Sequence, residues 1–265
     1  MMTLKKIYLG LVLFFMYAPI LLLVVFSFNY STRNAWGGFS LRHYQALLNS
    51  RDIMRALRIT LLVAILSTVI SVVIGTLAAI SVDKLGKRKK SVIMAVSKLP
   101  VMMPDIVTGL TLMALFGFAF RMVGFGGLGF NTLLLAHVIF NIPYVMLSVL
   151  PRLRQLDQNL YEAALDLGCK PFMAFLRVVL PQLWPGIITG AMLAFTLSVD
   201  DFMVSFFTSS PTTENLSMLI FSMARRGVDP RINAMSTIIF LTIMVMLFLI
   251  NKRDQHLIKK QGDEQ

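Results

Sequence analysis

The feature that most constrains this chain is a series of apolar stretches, each about as long as a lipid bilayer is thick. A transmembrane helix needs roughly 20 apolar residues. Six stretches reach about that length; four contain no Asp, Glu, Lys or Arg, and two contain Lys or Asp. They are residues 7–28, 59–82, 91–120, 132–150, 184–209 and 232–250. We therefore predict an all-α integral membrane protein with six transmembrane helices.

Composition favours lipid over water as the solvent. Hydrophobic residues make up 57% of the chain and charged residues 14%, whereas about a quarter of a soluble domain is charged. In a soluble protein the net charge of +12 would point to nucleic acid. Here Lys and Arg flank the apolar stretches, where they set topology and contact anionic headgroups. We predict a lipid bilayer, and no nucleic acid, as the partner of these charges.

The sequence contains no pattern typical of catalysis or metal binding. Cys169 is the only cysteine, which excludes an internal disulfide and a thiolate metal cluster. His43, His137 and His256 are widely scattered. There is no Gly-rich phosphate loop and no HExxH helix. The prediction is that the chain is not an enzyme and holds no metal or cofactor.

The amino-terminal region is expected to contain an uncleaved helix followed by a polar segment. Lys5 and Lys6 precede the first apolar stretch as in a signal peptide, but the stretch is longer and lacks a small-residue cleavage site. Ser40 is predicted to cap a short amphipathic helix lying on the membrane. Its apolar face would consist of Leu41, Tyr44, Leu47 and Leu48.

Charge distribution predicts the topology and the division of the chain. The first two lysines, loops 83–91 and 151–183, and residues 251–265 carry 15 Lys and Arg, against 9 in the alternate loops. The positive-inside rule then places both termini in the cytoplasm. The predicted parts are a first helix with an extracytoplasmic segment (1–58), a transmembrane domain (59–250) and a cytoplasmic tail (251–265).

Two of the predicted spans contain residues that interrupt helices. Pro100 and Pro104 lie four residues apart in the third span, just before Asp105. Each removes a backbone donor, so a kink or break is expected there. Asp200 and Asp201 are predicted to interrupt the middle of the fifth span.

Loop 151–183 is predicted to form two short helices joined by a glycine turn. Residues 157–167 favour a helix, and Gly168 would end it because glycine readily adopts a left-handed conformation. Apolar residues at helical spacing then continue until Pro181, where a break is expected. Taken alone, this pattern is equally compatible with an ordinary amphipathic connector.

The spacing within this loop resembles a known family motif. Glu162, Ala163 and Ala164 are separated by three residues from Gly168, and nine further residues separate Gly168 from an aliphatic-x-Leu-Pro ending at Pro181. This order resembles the coupling loop of ABC importer permeases, which docks on a separate ATPase. The resemblance implies a type I ABC importer permease fold, in which Glu162, Ala163, Ala164 and Gly168 couple this chain to the ATPase. ATP and Mg²⁺ would then bind to that partner.

Three carboxylates at membrane depth are the best indication of the substrate. An Asp there costs about 2.5–3.5 kcal/mol on insertion scales, so it usually faces a cavity or a partner. Asp105, Asp200 and Asp201 are therefore predicted to line a pathway for a cationic substrate. Adjacent helical residues point about 100° apart, so one of the pair can line the pathway while the other caps a helix break. A structural alternative pairs Asp105 with Lys98.

With its Pro-Asp-Ile-Val and Ser-x-Asp-Asp segments, nearly the whole chain resembles the second permease of spermidine/putrescine importers. This resemblance implies a prokaryotic plasma (inner) membrane location. It also implies a second homologous permease, two copies of an ATP-binding subunit and an extracytoplasmic binding protein as partners. Alternatives are an ABC permease for iron, sulfate or thiamine, and a secondary transporter, for which no repeat is visible.

Overall fold

A computed structural model of the chain describes residues 2–31, 36–124, 126–226 and 229–245, with side chains omitted for residues 2–5 and 158. Regular structure in these ranges is helical, and the one extended contact among them is an isolated antiparallel bridge between Asn29 and Phe39. The helices are α1 Met2–Ser27, α2 Arg42–Asn49, α3 Arg51–Asp83, α4 Lys87–Met102, α5 Asp105–Val123, α6 Phe130–Gln155, α7 Gln158–Asp166, α8 Pro171–Ala174, α9 Leu180–Asp200, α10 Met203–Thr208, α11 Leu216–Arg226 and α12 Arg231–Val245. A π-helical turn, Phe175–Val179, joins α8 to α9.

The predicted spans coincide with helices of suitable length and composition. Five described helical segments are long and apolar enough to cross a membrane, and a sixth, Arg231–Val245, is apolar but shorter. The five are Lys6–Ser27, Arg51–Asp83, Asp105–Val123, Phe130–Gln155 and Pro171–Asp200. Residues 246–250 of the sixth predicted span, and the predicted tail, lie outside the described residues.

Proline ends a helix at only one of the three places where a break was expected. The third span separates into α4 and α5 at Met103 and Pro104, because a residue that precedes proline is disfavoured in the helical conformation. Pro100 lies inside α4. The break predicted at Pro181 is wrong. The wider π-helical turn shifts the hydrogen-bond register, and Pro181 falls in the first turn of α9, where a missing N–H is tolerated.

The predicted amphipathic helix is present as α2, but its buried face differs from the prediction. His43 and Leu47, one turn apart, are buried, whereas Leu41 and Leu48 are exposed. Leu41 precedes the helix, and Leu48 points about 100° away from Leu47. The residue at the N-cap position is Leu41, one residue later than the Ser40 cap that was predicted, although the Ser40 hydroxyl accepts a hydrogen bond from the Arg42 N–H at 3.1 Å.

The chain comprises two compact units, one of residues up to Arg55 together with those from Leu219 onward, and one of Ala56–Met218. In the first unit, the bridge at Asn29 closes a short loop after α1, and the Ser27 hydroxyl lies 2.7 Å from the Tyr44 hydroxyl. The predicted division at residues 58 and 250 stays a prediction.

In the second unit, α6 forms the centre and packs most extensively on α9 among the described helix pairs. Two glycines bring neighbouring helices onto the same α6 residue, Val145, which is fully buried. A Cβ added at Gly75 of α3 would lie 2.8 Å from the Val145 Cβ, and one at Gly190 of α9 would lie 3.1 Å from the Val145 Cα. Small residues therefore set the helix separation here, as is usual in membrane proteins.

This packing predicts a difference between two Gly→Ala variants. Gly75→Ala should destabilise the protein by about 1–3 kcal/mol, because the new methyl group overpacks a rigid β-branched side chain. Gly117→Ala, in α5, is the control, since no heavy atom lies within 4 Å of its added Cβ. Thermal unfolding in detergent should show a lower midpoint only for Gly75→Ala; equal midpoints would contradict the close packing.

Candidate functional site

The predicted glycine turn in loop 151–183 is present and is fully hydrogen-bonded. The Asp157 carboxylate caps α7 by accepting from the Asn159 N–H at 2.9 Å. At the other end, Gly168 has φ 84°, and its N–H donates to the Leu165 carbonyl at 2.9 Å. The Cys169 N–H donates to the Ala164 carbonyl at 3.1 Å. These two bonds form a Schellman motif, which requires a left-handed residue at Gly168.

The four predicted coupling residues differ in exposure. Glu162, Ala163 and Gly168 are exposed, whereas Ala164 is buried and faces the protein. Exposed apolar side chains accompany them that sequence reasoning did not select. These are Leu160, Leu167 and Phe172, with Leu167 87% exposed.

A cavity of about 420 Å³ lies beside α7. Its walls come from the ends of α3 and α6, from Tyr161 and Glu162 of α7, and from the π-helical turn and the first turn of α9. Glu162 therefore borders both this cavity and solvent.

The fifth span is interrupted where the two aspartates predicted the break. Helix α9 ends at Asp200, and α10 begins at Met203. The Asp201 carboxylate accepts hydrogen bonds from the backbone N–H groups of Val204 at 3.2 Å and Ser205 at 2.7 Å. It thus satisfies the first free donors of α10, as N-terminal capping residues do.

Three further polar groups surround this carboxylate. The Ser205 hydroxyl donates to Asp201 at 2.7 Å and accepts from the Asn215 amide at 2.7 Å. His137 Nε2 lies 3.0 Å from the same hydroxyl and 3.6 Å from Asp201 Oδ2. Since the one hydroxyl proton goes to Asp201, His137 must donate from Nε2. The Asp201 side chain is only 6% exposed and that of His137 1% exposed.

A second buried polar group lies one turn further along α6. The Asn141 amide donates to the Ser198 hydroxyl at 2.8 Å, and Ser198 also lies 3.1 Å from the Ser67 hydroxyl of α3. These contacts join α3, α6 and α9 inside the unit. The sequence signal for these buried polar groups was a His and an Asn at helical spacing within an apolar span. Their partners Ser205 and Ser198 carried no such signal.

The other two predicted pathway acids are accessible. Asp200, the last residue of α9, and Asp105, the first residue of α5, are both exposed. Helix α5 packs on α10 through Gly109, one turn after Asp105, where an added Cβ would lie 2.9 Å from the Met203 carbonyl. Asp105 lies four residues before Gly109, and Asp200 lies three residues before Met203, so both are close in sequence to the α5–α10 contact. Among the ion pairs of the described residues, none joins Asp105 to Lys98.

The carboxylates of Asp105 and Asp200 are exposed, whereas that of Asp201 has a structural role. Across the part of the chain that the structure describes, no three His, Cys, Asp or Glu side chains are grouped as metal ligands would be. The accessible carboxylates can attract a cation, whereas the Asp201 oxygens already accept hydrogen bonds from protein donors.

Comparison with known proteins gives consistent matches. Residues 71–253 match the family described as binding-protein-dependent transport system inner membrane component. The putrescine transport system permease protein PotI of Escherichia coli (strain K12) is 40% identical over 89% of this chain and 85% of its own length. The spermidine/putrescine transport system permease protein PotC of Haemophilus influenzae is 35% identical over 96% of this chain and 98% of its own.

Similarity to one solved structure supports the fold of this chain and nothing beyond the fold. A chain of a bacterial ABC transporter involved in the import of the acidic polysaccharide alginate superposes with a TM-score of 0.72 at 16% identity. The superposition covers 96% of this chain and 95% of that one. The fold is therefore that of an ABC importer transmembrane domain, as the sequence predicted.

The hydrogen bonds around the break predict different effects for its two aspartates. Asp201→Asn should lower the free energy of unfolding by about 1–3 kcal/mol. The new side-chain NH₂ group would face hydrogen-bond donors at a position where a carboxylate oxygen accepts. Asp200→Asn is the matched control, since its side chain is exposed. Thermal unfolding of the purified chains should show a lower midpoint only for Asp201→Asn. Equal midpoints would contradict a capping role for Asp201.

Proposed function

This chain belongs to the family of binding-protein-dependent transport system inner membrane components, and from that premise we propose that it is the permease subunit of an ATP-driven importer of polyamines. As a member of that family it is a non-catalytic, multi-pass inner membrane protein that works with an ATPase and a substrate-binding protein. The relatives named for putrescine and for spermidine/putrescine support polyamines as the substrate.

The observation that carries the pathway proposal is the exposure of Asp105 and Asp200, each of which lies within four residues in sequence of the α5–α10 contact. A polyamine carries several ammonium groups, and each loses hydration inside a narrow pathway. Fixed carboxylates compensate for that loss. Asp105 and Asp200 would contact the ammonium groups in turn, while Asp201 shapes the break that ends α9 at Asp200.

Two separated carboxylates suit transit better than a closed site would. A cation held by several carboxylates at once would be released slowly, whereas sequential contacts permit movement. Because the Asp201 oxygens accept bonds from Val204 and Ser205, Asp201 belongs to the pathway as a structural member.

The second part of the proposal concerns energy coupling. The α7 helix with Glu162, Ala163 and Gly168 would dock on the ATP-binding subunit, which carries ATP and Mg²⁺. Exposed Leu160, Leu167 and Phe172 support an apolar contact there. Ala164 faces inward and would hold α7 on the permease.

Assembly and orientation complete the proposal. One transmembrane domain of residues 59–250 encloses half a pathway, so a second homologous permease and two ATP-binding subunits would complete the importer. The greater number of Lys and Arg in loops 83–91 and 151–183 supports cytoplasmic termini. The α7 helix then faces the cytoplasm, where the ATPase operates.

The substrate proposal is tested by removing charge from the exposed acids. Asp200→Asn and Asp105→Asn should each reduce putrescine uptake by about tenfold, the effect of losing roughly 1.4 kcal/mol of charge-assisted contact. Asp52→Asn is the control, because Asp52 is an exposed acid paired with Arg55 outside the pathway. Uptake of radiolabelled putrescine by proteoliposomes containing the full importer measures the effect. Wild-type rates in both pathway variants would overturn the cation pathway.

The coupling proposal is tested at the glycine turn. Gly168→Val should destabilise the glycine turn by about 1–2 kcal/mol, because a β-branched residue disfavours positive φ. We expect it to reduce uptake and substrate-stimulated ATP hydrolysis together. Gly86→Val is the matched control, since Gly86 has φ −59° and, like Gly168, open space around its added Cβ. Normal stimulation of ATP hydrolysis by substrate in a fully assembled Gly168→Val importer would show that the loop is only a connector.

A further inference from the structure

Two buried residues of α6 hold the two sides of the break in the fifth span. Asn141 donates to Ser198, three residues before Asp201, and His137 contacts Ser205, four residues after it. His137 and Asn141 are 1% and 0% exposed. Since they are four residues apart, they lie on the same face of α6. We use the name α6 clamp for His137 and Asn141 together.

The spacing of the clamp matches a broken span better than a continuous helix. In an unbroken helix, Ser198 and Ser205 would be about 10 Å apart along the axis, whereas one turn of α6 separates the clamp residues by about 6 Å. Both contacts are made at hydrogen-bond distance, 2.8 Å for Asn141 and 3.0 Å for His137. In an apolar interior these side chains have few other partners, so satisfying both favours the bent course of the chain.

The position of Asp200 follows from this arrangement. Asp200 lies between the two contacts, two residues after Ser198 and five before Ser205. The Asn141 contact fixes the rotation of the end of α9, and the His137 contact fixes the start of α10 through the group that also binds Asp201. Loss of either contact frees one side of the break.

We infer that His137 and Asn141 are positioning residues, which hold Asp200 in the orientation that the passing polyamine requires. This inference rests on the proposed function of Asp200, and it adds two residues on another helix that never touch the substrate. Neither residue belongs to the predicted pathway acids or to the coupling helix.

The variants disturb one clamp residue at a time; Asn141→Leu and Ser198→Ala each also remove a contact with Ser67. His137→Phe keeps a ring but loses the donor to Ser205, whereas His137→Gln retains a donor at a similar position. Asn141→Leu removes the contact with Ser198, and Ser198→Ala removes the same contact without adding volume. Ser71→Ala is the control, because Ser71 is buried and donates to the Val138 carbonyl, a bond between α3 and α6 that does not involve the fifth span.

The first measurement reports the position of residue 200 without any polyamine. Asp200→Cys is made in a Cys169→Ser background, and its rate of reaction with a positively charged thiol reagent is followed in the assembled importer. Loss of one buried hydrogen bond should change this rate by about three- to tenfold in His137→Phe, Asn141→Leu and Ser198→Ala. His137→Gln and Ser71→Ala should react as the parent does.

The second measurement is the amount of putrescine moved per ATP hydrolysed, in proteoliposomes supplied with loaded binding protein. We expect this ratio to fall about three- to tenfold in the clamp variants and to be restored in His137→Gln. Unchanged thiol reactivity and an unchanged ratio in Asn141→Leu and Ser198→Ala would overturn the inference. If Asp200→Asn transports normally while the thiol reactivity still changes, the proposed pathway fails and the clamp stands.

Discussion

The structure depends on one constraint, which is that polar groups inside a membrane must find partners within the protein because lipid offers none. Helix α6 meets this constraint at three positions along the fifth span. Its buried Thr132, His137 and Asn141 contact Thr208, Ser205 and Ser198 respectively. These contacts determine the rotation of α6 and which parts of the fifth span lie against it. Apolar packing alone would define the rotation of α6 and its contacts with the fifth span less closely, since one apolar helix face resembles another.

Close packing and polar pairing require each other in this unit. The Asn141–Ser198 bond of 2.8 Å needs α9 close to α6, and Gly186 and Gly190 permit that approach. An added Cβ at Gly186 would lie 3.0 Å from the Ser148 carbonyl. Gly75 has the same effect on the α3 side, where Ser67 joins the polar group around Ser198. Small residues therefore determine where buried hydrogen bonds can form.

At the break in the fifth span, the neighbouring residues Asp200 and Asp201 have different roles although their side chains are chemically identical. Asp201 turns inward and stabilises the start of α10, so its negative charge is compensated by protein donors. Asp200 remains exposed at the end of α9. An importer of cations needs a carboxylate that can exchange partners, and a fully hydrogen-bonded one cannot do so readily. The structural aspartate thus supports the accessible one.

The sequence by itself determined the membrane class, the positions of the spans, the glycine turn at Gly168 and the break at Asp200 and Asp201. These features follow from local physics: the length of apolar runs, the left-handed preference of glycine and the cost of charge in lipid. Only the tertiary structure decided which aspartate is buried, that Ala164 faces inward, and that α9 continues past Pro181. Those outcomes depend on remote partners such as His137, which is 68 residues from Ser205 in sequence, and on a shift of hydrogen-bond register that residue types do not encode locally.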